Sequence, residues 1–138
     1  MTIYLANTVR DAMNDAWETA IGTSPIMRLY GGAVPTALAT SPGTVLAEGT
    51  LPSDWMAASS SGAKAKSGSW TLTGQAGAGA GTNATFYRIF NSGGTVMEQG
   101  SVTATGGGGD ATMDNVSVAN TQTITVNTFT RTAPNPPS

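Results

Sequence analysis

Ser61-Gly62-Ala63-Lys64 has the Ser-x-x-Lys spacing of serine acyl enzymes. In those enzymes the pair sits on a helix, which brings the amine to the hydroxyl. Here the neighbours are Ser59, Ser60 and Gly62, a loop composition, and the companion motifs are missing. Histidine and cysteine are absent, which excludes Ser-His-Asp and Cys-His catalysis, removes the usual ligands of structural zinc and leaves no disulfide framework. Asp110 and Asp114, with Glu98, are a candidate oxygen-ligand set for Ca²⁺, but their spacing fits no EF-hand loop. Aspartates beside a glycine turn are more simply solvated, and the same holds for these carboxylates as a general acid and base.

Two glycine runs invite a phosphate reading. Gly106 to Gly109 leads into Asp110 and a strand pattern instead of the Lys and Ser/Thr of a P-loop. Gly77-Ala78-Gly79-Ala80-Gly81 has no strand-loop-helix unit around it. Both are read as turns or hinges. With six basic against eight acidic residues and a formal charge of −2, the chain lacks the basic face that phosphate neutralisation needs, so no nucleic acid is expected as partner. The composition points away from an enzyme, and no cofactor is expected.

The elements that must position these groups begin with a helix. Val9, Ala12, Met13, Ala16, Trp17, Ala20 and Ile21 follow helical spacing, with Asn7 or Thr8 as cap and Gly22 and Pro25 as the stop. Asp11, Asp15 and Glu18 form an acidic stripe opposite, read as a solvated face or a docking edge for a basic patch. After Pro25 the period becomes 2. Strands are expected at 26–30, 44–48, 69–73, 85–90, 95–99, 101–105, 111–118 and 122–132, with a bulge near Asn127-Thr128 because Phe129 leaves the phase of Ile124 and Val126. Residues 57–69 read as an exposed loop carrying Lys64 and Lys66, and 74–81 as a flexible loop.

Arg28 and Arg88 each sit mid-strand among residues of one face, Ile26 and Tyr30 or Phe86 and Phe90. An arginine there either packs within the domain or spans an interface, and both readings stay open. Asn83-Ala84-Thr85 and Asn115-Val116-Ser117 are formal glycosylation sequons, expected to be silent because the first residues lack the basic start and apolar core of a secretion signal. Nothing approaches the length of a membrane span, so no membrane partner is expected. About eight short strands with regular turn signals make an antiparallel sandwich or barrel.

The order of the pieces resembles a family of small bacteriophage virion proteins encoded among head and tail genes. The resemblance is carried by Thr8-Val9-Arg10-Asp11-Ala12-Met13, Ile26-Met27-Arg28-Leu29-Tyr30-Gly31-Gly32-Ala33-Val34-Pro35, Gly43-Thr44-Val45-Leu46-Ala47-Glu48 and Leu51-Pro52-Ser53-Asp54-Trp55-Met56. In the second half it continues through Tyr87-Arg88-Ile89, Gln99-Gly100-Ser101-Val102, Gly108 to Asn115 and Thr123-Ile124-Thr125-Val126. It supplies no catalytic residues.

What it implies is an all-β fold, an antiparallel, jelly-roll-like β-sandwich (25–132) with an N-terminal helical arm (1–24) and an extended, Pro-rich C-terminal arm (133–138). Its implied role is that of a capsid decoration, or cement, protein on the outer surface of a virion, made in the bacterial cytoplasm. The expected partners are the major capsid protein and further copies of the chain. Expected contacts are Met13, Trp17 and Ile21 on the helix, Arg28 and Arg88, the aromatic Trp55 taken as exposed, and Pro134 and Pro136 in the arm. A tail, baseplate or fibre component is the second reading. A carbohydrate-binding module, with Trp55, Trp70 and Tyr30 stacking on sugars, is the third.

Overall fold

In the computed structural model, which describes residues 2–137, the chain forms helix α1 (Asn7–Ile21) and ten strands. These are β1 (Ile26–Tyr30), β2 (Ala47–Thr50), β3 (Ala63–Ala65), β4 (Trp70–Gly74), β5 (Thr82–Asn83), β6 (Phe86–Phe90), β7 (Val96–Ala104), β8 (Ala111–Met113), β9 (Ser117–Val118) and β10 (Thr123–Thr132).

The architecture corrects the expected sandwich. Neighbours run β10-β4-β2-β1-β6-β7-β8, and β8 pairs back onto β10, so the sheet closes on itself as a seven-stranded barrel. Nor is it antiparallel throughout: β7 and β8 run parallel, Val102 opposite Ala111 and Ala104 opposite Met113. Strand alternation and turn spacing are the same for a sandwich and a barrel. Closure here depends on three residues, Ala111, Thr112 and Met113, which find partners on both sides.

Alternation places Met27 and Leu29, Trp70 and Leu72, Tyr87 and Ile89, Ala111 and Met113, and Ile124 and Val126 in the core, all of them essentially buried. Each fully buried large apolar side chain contributes about 1.5–3 kcal/mol. The bulge expected near Asn127-Thr128 is present, since the β10 register shifts between Val126 and Thr128. It turns Phe129 back inward. The strands expected at 95–99 and 101–105 are one, β7, which continues through Gly100. Gly100 is there for space, because a Cβ at that position would lie 2.6 Å from the Tyr87 ring.

β3 and β4 together form one interrupted strand along β10. Thr132 to Thr130 face Ala63 to Ala65, and Val126 to Thr123 face Trp70 to Thr73. The segment 57–69, expected to be an exposed loop, therefore contributes a strand whose Lys64 is buried. On the outer face of β1 and β6, residues 35–40 cross over Arg88, which donates to the Thr40 carbonyl at 2.7 Å, while Gln99 donates to Pro35 O at 2.7 Å. Tyr30 and Phe86 stack in the same layer, ring centroids 5.2 Å apart.

Candidate functional site

Helix α1 docks on a face turned from the expected one, sharing with it only Trp17 and Ile21. Asn7, Arg10, Asp11, Asn14, Trp17, Glu18 and Ile21 are the buried or half-buried positions, whereas Val9, Ala12, Met13, Ala16 and Ala20 are exposed. Both sets have helical spacing. The difference is that the barrel surface beneath the helix is polar and offers carbonyls, hydroxyls and one ammonium.

Arg10, 4% exposed, is the hub of that contact. Its guanidinium donates to Ala133 O (2.7 Å), Pro134 O (3.2 Å), Ser61 O (3.3 Å) and Asn7 Oδ1 (2.8 Å). It lies flat on Gly62, where a Cβ would come within 2.2 Å of Nη1. Asn7 is thus spent on Arg10 and does not cap the helix, whose N-cap is Ala6 without a side-chain bond. Asn14 donates to Gly62 O and Ser59 Oγ. Asp11 accepts from the Ser59 hydroxyl (2.7 Å) and the Gly62 N–H (2.8 Å), and these bonds, the hydroxyl's first, hold its carboxyl below the usual range.

The acidic stripe has found its basic patch within the chain. Lys64 Nζ lies 2.8 Å from Asp15 and 2.7 Å from Glu18. Burial works against the ammonium, yet the two carboxylates hold its pKa above the ordinary lysine value. The structure does not pair Ser61 with Lys64: the Lys64 ammonium is turned to the helix carboxylates, and the Ser61 carbonyl accepts from Arg10.

At the C-terminal half of α1, Trp17 closes one end of the barrel. Its ring packs on Trp55 (5.1 Å) and Phe129 (6.2 Å), and Trp55 leads on to Trp70 (5.8 Å). Trp17 Nε1 donates to Glu98 Oε1 (3.1 Å) and Tyr87 OH donates to Glu98 Oε2 (3.0 Å). Arg131 lies over the Trp17 ring with Nη1 3.9 Å from the same carboxylate. Burial pushes the Glu98 carboxyl above its ordinary range, against the opposing pull of Tyr87, Arg131 and Trp17. Burial, then the Glu98 charge, push the Tyr87 phenol up.

A raised native pKa means that protonated Glu98 favours the fold, and that this contribution disappears as pH rises through the native value. Glu98→Gln, which removes the proton-linked step, is expected to shift Tm more favourably at pH 7 than at pH 4 when measured against wild type. Thermal melts at the two pH values check it, and an equal or reversed difference contradicts the assignment.

Beside this cluster is a cleft of about 260 Å³ whose walls include Glu98, Gln99, Asp110, Thr130, Arg131 and Thr132. Asp110 and Asp114 are not gathered with Glu98 as ligands. Asp110 caps the Ser101 N–H and hydroxyl (2.9 Å each), and Asp114 accepts from the Thr125 N–H (3.0 Å). Among the described residues no three acidic side chains are placed to hold a metal ion.

The expected contact residues divide. Met13, Pro134 and Pro136 are exposed. Arg28 is half-buried, paired with Glu48 and 4.7 Å above the Phe90 ring. Arg88 is 3% exposed and bonded to Gln99 and to the crossing segment, so of its two open readings the structure shows the packing within the domain and not the interface contact. Ile21 is buried in the core, and Trp17 packs on that core from one end. Trp55, taken as exposed, is fully buried and donates to Gly22 O (2.9 Å). Trp55, Trp70 and Tyr30 are all 0–1% exposed, so they offer no stacking platform for a sugar.

Arg10, Asn14 and Arg131 were not expected as site residues, and Lys64 and Glu98 only in other roles, as an acyl-enzyme lysine and a calcium ligand. The legible signal was the second stripe at 7, 10, 11, 14 and 18, as regular as the apolar one. No helix among the described residues is long and apolar enough to cross a membrane. Compared with family models, curated proteins and solved structures, the chain matches none.

Proposed function

We propose that the chain is a structural virion protein that binds the outside of a tailed-bacteriophage capsid and stabilises the shell. The observation that carries this reading is the outward face of α1. Val9 and Met13 are 47% and 36% exposed, with Ala12, Ala16 and Ala20 on the same stripe. The opposite face is consumed by the chain's own barrel, so this stripe is left for a partner, and the sequence resemblance points to the major capsid protein. A ligand that binds only the assembled shell stabilises it by mass action, with no chemistry required.

Protein stoichiometry in purified particles tests the proposal, by quantitative mass spectrometry against the most abundant capsid protein. A copy ratio near one, or a simple fraction of it, is the expected result. A ratio of a few per hundred overturns the decoration role and moves the protein to the tail or baseplate.

A further inference from the structure

The barrel is closed over only part of its height. β8 reaches β7 at Val102–Ala104 and β10 at Val126–Phe129, and goes no further. Beyond it, Met97–Ser101 of β7 and Thr130–Thr132 of β10 face each other with no strand between them, and the 260 Å³ cleft lies there.

The backbone groups along this slot follow from alternation. Val102 N–H donates to Thr85 O on the β6 side, which leaves the Ser101 and Gln99 amides facing the slot. Ser101 is capped by Asp110, whereas the sheet pairing supplies no partner for Gln99 on this side. On β10, Phe129 O accepts from Lys66 N–H and Ala133 N–H donates to Gly62 O, both on the β3 side. Thr130 and Thr132 therefore turn their N–H and C=O away from β3: the Phe129–Ala111 pairing sets the Thr130 amide against the Asp110 carbonyl, and Thr132 faces the slot. Two unpaired edges flanking a gap are an acceptor for an added strand.

The chain also carries a donor. Residues 2–6 are not helical, and Ile3 and Tyr4 are 64% and 62% exposed. Among the described residues two hydrogen bonds hold this arm, Leu5 N–H to Asn135 O (2.9 Å) and Asn135 Nδ2 to Ile3 O (3.1 Å). Both bonds tie it to its own tail, past the end of β10, so its own slot stays open.

We infer that residues 2–6 of one copy add as a strand between β7 and β10 of another copy, completing the barrel wall. Alternation sends Tyr4 to one face of the added strand and Ile3 and Leu5 to the other. With Tyr4 inward, its ring meets Phe129 and its hydroxyl oxygen meets Arg131, whose buried Nε has no partner in the isolated chain. This contact is independent of the capsid reading and is present in the purified protein alone.

The test is sedimentation equilibrium of the full chain from 10 μM to 1 mM. Wild type is expected to show a mass that rises with concentration. Thr132→Pro blocks the slot without removing a bond to β3, because that amide points away from β3. Tyr4→Asp blocks the arm and touches nothing in the barrel. Each variant, with its folding checked by thermal melt, is expected to weaken self-association about tenfold or more. An equimolar mixture, which has one open slot and one intact arm, is expected to regain a two-copy species. A monomeric wild type at 1 mM, a variant that associates like wild type, or a mixture that does not pair overturns the inference.

Discussion

Arg10→Ala is expected to destabilise the protein by about 3 kcal/mol and to free the first half of α1. The side chain is buried, and its contacts are two tail carbonyls, the Ser61 carbonyl and Asn7. Truncation leaves these acceptors without a donor in a space too confined for full rehydration, which costs more than the net worth of the bonds. Arg10→Lys keeps the charge but cannot fork to Ala133, Ser61 and Asn7 together, so most of the loss is expected to remain. Urea unfolding gives the free energy, and amide exchange across Asn7–Asn14 shows whether the helix is released. A loss under about 1 kcal/mol would show that Trp17 and Ile21 alone seat the helix.

Thr112→Pro is expected to abolish the closed barrel. Thr112 lies in the middle of the three-residue strand that pairs with Thr103 on one side and Thr128 on the other, and its hydroxyl is 2.6 Å from that of Thr128. Proline removes an amide from a strand with neighbours on both edges, and the penalty is about 3 kcal/mol or more. The same substitution at Thr132, where the amide points away from β3 and lies beyond the reach of β8, is expected to leave the melting temperature nearly unchanged. Circular dichroism melts of the two variants side by side decide the point. Equal damage at both positions would contradict the placement of the free edge.

The contrast between these sites marks how far the sequence was legible. Helix α1, β1, β6 and the β10 bulge announced themselves through period and phase, because each is a local pattern of side chains against water. Closure of the sheet did not, since Ala111, Thr112 and Met113 look like any short strand and their two partners lie in different parts of the chain. The helix was found, but of its apolar stripe only Trp17 and Ile21 meet the barrel. An apolar stripe is normally the buried one, and here a polar stripe won because β3 and the tail present carbonyls and Lys64 to it. Glu98 and Arg131 were in phase with Tyr87-facing Gly100 and with Phe129, but alternation alone does not say that an ionic pair will occupy the mouth of a barrel. Trp55 was misjudged because nothing local to it shows that Trp17, distant in sequence, covers it.

The polar seating of α1 also decides how the helix answers its surroundings. Parting its N-terminal half from the barrel uncovers carbonyls, amides and ion pairs with little apolar area, so that step carries a small heat-capacity change. Cold, which weakens apolar burial, hardly affects such a joint, while added salt acts on the pair that Lys64 makes with Asp15, whose carboxylate is exposed although the ammonium is buried. The barrel obeys the opposite rule. One chain therefore combines an oily body, which responds to temperature, with a charged hinge-piece that responds to ionic strength.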